Sequence, residues 1–87
     1  MRITFDPHKD ERTRRERGFS LALGAEVIRN NVAVRVDDRT DYGEERLVAY
    51  GYVGMRLFAC VYTVRNDTLR IISVRKANDR EQLKYGR

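Results

Sequence analysis

Arg70-Ile71-Ile72-Ser73-Val74-Arg75-Lys76-Ala77-Asn78-Asp79-Arg80-Glu81 reads as a strand that runs out of apolar residues at a pair of cations and opens directly into a helix. Asn78 followed three residues later by Glu81 has the spacing of a capping box, which puts the helix start within a residue or two of Arg75 and Lys76. Cations beside free helical N–H groups attract phosphate, because the orphan donors and the positive end of the helix dipole add to the side-chain charge. The competing reading is an ordinary strand-to-helix junction with solvated cations, and the charge distribution weighs against it. Of 18 Lys and Arg against 13 Asp and Glu, a net charge of +5, residues 68–87 hold six basic and only two acidic side chains. The basic residues are 15 Arg and 3 Lys, and the guanidinium is the planar fork that pairs bidentately with phosphate. A basic patch of this kind suits a nucleic acid and equally an acidic protein partner.

Working outward, three strands are expected over 46–52, 56–64 and 68–75. The short turns Val53-Gly54-Met55 and Arg65-Asn66-Asp67 would join them as an antiparallel meander. On the last strand Leu69, Ile71, Ser73 and Arg75 alternate with Arg70, Ile72 and Val74. Both faces are therefore mixed, and alternation leaves open which one the helices cover. Upstream, residues 2–5 form a short strand, and Asp6-Pro7 is an N-cap followed by proline at the first helical position. The helix that follows runs to about Arg17, stops at Gly18, and carries no large apolar side chain from His8 onward. Such a helix needs ion pairs or a partner, and Asp10 with Arg14, Glu11 with Arg15 and Arg12 with Glu16 have the i,i+4 spacing. Ser20 caps a second helix to about Arg29 whose Leu21, Ala25 and Ile28 make an apolar stripe. A strand over 32–36 and a polar loop over 37–43 complete the chain. The expected fold class is α+β: a small antiparallel sheet with two N-terminal helices and one C-terminal helix, in a single domain over residues 1–87.

Composition excludes several kinds of chemistry. Cys60 is alone in the apolar run Leu57-Phe58-Ala59-Cys60-Val61-Tyr62 and reads as a small buried hydrophobe; His8 is also alone. No metal-ligand spacing occurs, and the six glycines are scattered rather than gathered into a phosphate loop. No metal and no cofactor is expected, and Asp37, Asp38, Asp41, Glu44 and Glu45 read as a solvated acidic loop. No apolar run approaches the roughly 18 residues of a membrane span, and the N-terminus lacks a signal-peptide core, so a cytoplasmic protein is expected.

The order Asp6-Pro7-x-Lys9, Gly18-x-Ser20, Gly43-Glu44-Glu45-Arg46, Gly51, Val61-Tyr62-Thr63, then Arg70-Ile71-Ile72-Ser73-x-Arg75-Lys76-Ala77 with Arg80-Glu81 and Tyr85, resembles the BrnT toxins of bacterial type II toxin-antitoxin systems. The resemblance spans essentially the whole chain and is most specific in its C-terminal motif. Family members commonly carry Asn where this chain has Thr13, and Lys-His before the glycine where it has Glu16-Arg17. Arg17 cannot act as a base near neutral pH. The resemblance implies a fold similar to the RelE and ParE toxins and a metal-independent ribonuclease that halts translation. It also implies a BrnA-like antitoxin with a ribbon-helix-helix domain, and DNA binding only through the toxin-antitoxin complex.

Without a metal, RNA is cut by attack of its own 2′-hydroxyl on the adjacent phosphate. That needs a base, cations for the extra charge on phosphorus, and an acid for the leaving oxygen. Arg70, Arg75 and Lys76 are the candidates for holding the phosphate and stabilising the transition state, with Arg46 a further one. Glu45 or Tyr85 would carry the proton, although Glu45 also reads as a surface carboxylate and Tyr85 as a ring that either stacks on a base or packs on the sheet. Lys9, Arg46, Arg80 and Lys84 are expected to bind RNA, and Arg14 and Arg15 to meet the antitoxin. Two other readings stand beside this one: a non-catalytic module for nucleic acid or protein, and a ParE-like toxin that binds gyrase. Fold does not decide among them.

Overall fold

The computed structural model describes residues 2–39 and 41–87. Five strands form one sheet in the order β1-β5-β4-β3-β2. They are β1 (Arg2–Thr4), β2 (Asn31–Val36), β3 (Leu47–Val53), β4 (Arg56–Arg65) and β5 (Thr68–Lys76). The helices are α1 (Pro7–Arg17), α2 (Gly24–Arg29) and α3 (Asp79–Tyr85). The meander of β2 to β5 is antiparallel throughout, but β1 lies parallel to β5, with Arg2, Ile3 and Thr4 opposite Thr68, Leu69 and Arg70. The expected antiparallel sheet is therefore a mixed one. Ile3 and Phe5 pack against the apolar cluster beside β5, which brings the first strand to that edge. Three residues are too short a pattern to declare a direction in sequence.

The mixed faces of the last strand resolve through a bulge. Val61 pairs with Ser73 and Tyr62 with Ile71, so Ile72 has no opposite number and the alternation slips by one residue there. Leu69, Ile71 and Val74 consequently join one apolar cluster with Leu21, Val27, Ala49, Phe58, Cys60 and Tyr62. Val48, Tyr50, Leu57, Ala59 and Ala77 form the second, with Tyr85 packed against it, so that α3 covers the opposite side of the sheet from α2. Cys60 is fully buried, and burial pushes its thiol up to about 12.

Both helices of the N-terminal half depart from expectation in instructive ways. Asp6 caps α1 by accepting from the N–H groups of His8 and Lys9, and Gly18, at φ 83°, closes it with a bond to the Arg14 carbonyl. The helix is not simply solvated. Asp10 and Thr13 are buried, and Asp10 accepts from the Leu21 N–H at 2.6 Å and the Ser20 hydroxyl at 2.8 Å, with Arg14 at 3.1 Å. Polar anchoring replaces the missing apolar stripe. The second helix divides into a 3-10 turn, Leu21–Leu23, capped by Ser20, and the six-residue α2. The latter lies so close to β3 that a Cβ on Gly51 would enter the Val27 carbonyl.

Candidate nucleic-acid interface

Because β1 pairs only with residues 68–70, the outer edge of β5 beyond Arg70 has no strand beside it among the described residues. The end of α1 takes that place: Arg17 donates from Nη1 to the Val74 carbonyl at 2.7 Å. Three adjoining cavities follow this edge. The first, about 190 Å³, is lined by Asp6, Lys9, Arg70, Ile71 and Ile72. The second, about 380 Å³, shares Lys9 and adds Arg12, Thr13, Glu16, Arg17 and Ser73. The third, about 260 Å³, shares Arg17 and adds Phe19, Arg75 and Lys76. Together they make a groove with six cations and two carboxylates. One carboxylate, Asp6, is committed to the helix cap, and the other, Glu16, sits 3.8 Å from Arg12.

Lys9 occupies the junction of the first two cavities and is partly buried. Burial, followed by the charges of Arg12, Arg46 and Arg17, holds its ammonium below the ordinary lysine value. Desolvation and like charge both disfavour the protonated form, so this lysine gives up its proton more readily than an exposed one.

The start of α3 differs from the free anion site expected there. The Asn78 side chain accepts from the Glu81 N–H at 2.8 Å and the Glu81 carboxylate accepts from the Asn78 N–H at 2.9 Å, a complete capping box. The same carboxylate receives Arg75 bidentately at 2.7 and 2.8 Å and the Tyr50 hydroxyl at 3.0 Å, and Arg35 donates to Tyr50 at 3.1 Å. Glu81 thus fills the position in which a phosphate was expected. Paired first with Arg75, and with further bonds from Asn78 and Tyr50, its carboxyl titrates at about 2. Arg75 reaches the groove as an already paired guanidinium.

Of the residues picked from sequence, the groove gathers Lys9, Arg70, Arg75 and Lys76. Arg46 stacks its guanidinium 3.9 Å from the Tyr42 ring centroid, keeps a buried Nε without a partner among the described residues, and lies within electrostatic reach of Lys9. Glu45 lines none of the three cavities. Its side chain is exposed and its backbone carbonyl receives the Thr63 hydroxyl. Tyr85 stacks on Tyr50 with centroids 4.2 Å apart and also lies outside, as do Arg80 and Lys84, whose ammonium sits 5.3 Å from the Tyr85 ring centroid. Arg14 is tied to Asp10, whereas Arg15 is exposed; the expected pair of Arg15 with Glu11 is not among the ion pairs of the described residues. The acidic loop is not simply solvated either, since Asp37 is buried and gripped by Arg39 at 2.8 and 2.9 Å. Sequence reasoning passed over Arg12, Arg17 and Phe19. Positions 9, 12, 13, 16 and 17 follow one helical face, and that spacing was the available signal for the first two.

By fold and charge this is a small α+β domain with a cation-lined groove suited to a polyanion. Residues 5–81 match the family described as "Ribonuclease toxin, BrnT, of type II toxin-antitoxin system", and the chain belongs to that family. The family is one of ribonuclease toxins, which entails an RNA substrate and a protein antitoxin at the family level. The matched segment includes all of the groove and Glu81 and ends before Lys84 and Tyr85. No curated protein matches the chain. Among the described residues no helix is long and apolar enough to cross a membrane.

Proposed function

We propose that this chain is an endoribonuclease that cuts RNA in the groove between α1 and β5 and thereby inhibits translation in the cytoplasm. The observation that carries the reading is the placement of Lys9, desolvated among arginines, where the first two cavities meet. Lys9, which gives up its own proton more readily than an exposed lysine, takes the proton from a ribose 2′-hydroxyl when its amine is free. The 2′-oxygen attacks phosphorus, the bond from phosphorus to the 5′-oxygen breaks, and the proton taken up by Lys9 passes through water to the leaving oxygen. Arg12, Arg17 and Arg70 neutralise the charge that develops on the phosphate, and Arg46 keeps Lys9 poised by repulsion. The products are a 2′,3′-cyclic phosphate and a 5′-hydroxyl. No step requires a divalent ion, and a groove of this charge repels one.

A BrnA-like ribbon-helix-helix antitoxin is the proposed partner. It would neutralise the enzyme by laying acidic side chains over the groove and the exposed flank of α1, and the complex alone would contact DNA. The deciding experiment incubates RNA with wild type and with Lys9→Arg in EDTA and identifies the new ends. Wild type should yield the ends just described. The arginine variant keeps the charge but not a removable proton, and should bind RNA normally while cutting about 100- to 10,000-fold more slowly. Intact RNA with wild-type protein sinks the nuclease reading, and full activity in Lys9→Arg removes Lys9 from the chemistry.

A further inference from the structure

Past Arg17 the groove changes character. Its third cavity has one aromatic wall, Phe19, and three cationic ones, Arg17, Arg75 and Lys76. Phe19 is half-buried and rests against Phe58 in an edge-to-face contact, with centroids 5.3 Å apart at 78°, which holds its ring at the cavity wall. The cations beside it are held as well. Arg17 is fastened to the Val74 carbonyl, which leaves its Nε and Nη2 available, and Arg75 is fastened to Glu81. No carboxylate, amide or imidazole side chain lines this cavity, so every side-chain hydrogen-bonding group on its walls is a donor.

This combination selects among nucleobases. Aromatic side chains stack on any base, but the donors around Phe19 need a base edge made only of acceptors. Guanine presents O6 and N7 side by side with no donor between them. Adenine sets an amino group next to N7, cytosine sets one beside N3 and O2, and uracil separates O4 from O2 by the N3–H donor. Resting on the reading of the groove as an RNA site, we propose that this end of it is a guanine subsite, with the base stacked on Phe19 and its O6 and N7 accepting from Arg17 and Lys76. The adjoining cavity, with Lys9, Arg12 and Arg17, then holds the phosphate next to that guanosine, which places scission beside a guanine.

The test measures binding of the full chain to uncleavable 2′-O-methyl pentaribonucleotides, UUXUU with X as G, A, C or U, by fluorescence anisotropy. The G oligomer should bind about tenfold more tightly than the others, and 7-deazaguanine at X, which lacks N7, should lose most of that preference. Phe19→Leu keeps an apolar contact with Phe58 while removing the stack, and should weaken G binding about tenfold. Should that variant fail to fold, the 7-deazaguanine comparison on the wild-type chain still decides. Equal affinity for all four oligomers overturns the guanine subsite and leaves the ribonuclease reading intact. Failure to bind any of them, together with failure to cut the unmodified RNAs, overturns both.

Discussion

At the scale of single residues, Glu81 carries more structural duty than any cation around it. Its carboxylate closes the α3 capping box, grips Arg75 with two bonds, and receives the hydroxyl of Tyr50. Glu81→Gln removes the charge from all of these at once and should lower stability by about 1–2 kcal/mol in a urea titration. The pH dependence has a definite sign. With its folded-state value depressed to about 2 from 4.5, the carboxylate stabilises the fold fully above about 4.5 and ceases to do so as pH falls toward about 2. Asp37, bound by Arg39, and Asp10, bound by the Leu21 N–H, are depressed as well and act in the same direction. Thermal melts across that acid window should therefore show a stability loss that is smaller in Glu81→Gln than in wild type. Equal losses would mean that Glu81 is not a principal acid-sensitive group.

At the scale of elements, the polar helix α1 is the most informative, because charge there does the work that apolar side chains do elsewhere. Arg14 and Arg15 are neighbours in sequence with opposite duties. Arg14→Glu would set a carboxylate against buried Asp10 and should cost about 1–3 kcal/mol, whereas Arg15→Glu should leave the melt unchanged within about 0.5 kcal/mol. In stopped-flow mixing with the antitoxin, Arg15→Glu should slow association, and more at low salt than at high. An unchanged on-rate would argue for an apolar contact in place of electrostatic cover. Where α2 meets β3, Gly51→Ala should destabilise by at least the about 1–3 kcal/mol typical of overpacking, because backbone, not a yielding side chain, stands in the way. The element order was legible in sequence for local reasons. Asp6-Pro7, Gly18, Ser20 and the pair Asn78 and Glu81 are caps, and each sits at an observed boundary. What escaped depended on distant partners. The direction of β1 is set by Ile3 and Phe5 finding the core, and the bulge at Ile72 is visible only once β4 lies alongside. The site was half legible for the same reason: the basic C-terminal run announced Arg70, Arg75 and Lys76, while Arg12, Arg17 and Phe19 acquire meaning only when α1 is laid along β5.

At the scale of the whole molecule, the groove's excess of about four positive charges makes RNA affinity a salt-dependent quantity. Counterion release from single strands predicts a slope of log affinity against log salt of about −3. Equilibrium titrations over a range of salt measure it directly, and a slope near zero would show that the groove is not where RNA lies. Cleavage should persist in EDTA on the same physical ground, whereas loss of activity restored by magnesium would reveal a carboxylate site elsewhere. The two walls of the groove come from opposite ends of the chain, residues 6–19 and 70–76, joined through the parallel pairing of β1 with β5. That arrangement is also a matter of timing. A ribosome making this protein releases the first wall long before the second exists, and every contact between them closes a loop of more than fifty residues. A growing chain therefore has no assembled groove until β5 has emerged, so the proposed RNA site takes working form only once both of its walls have been made.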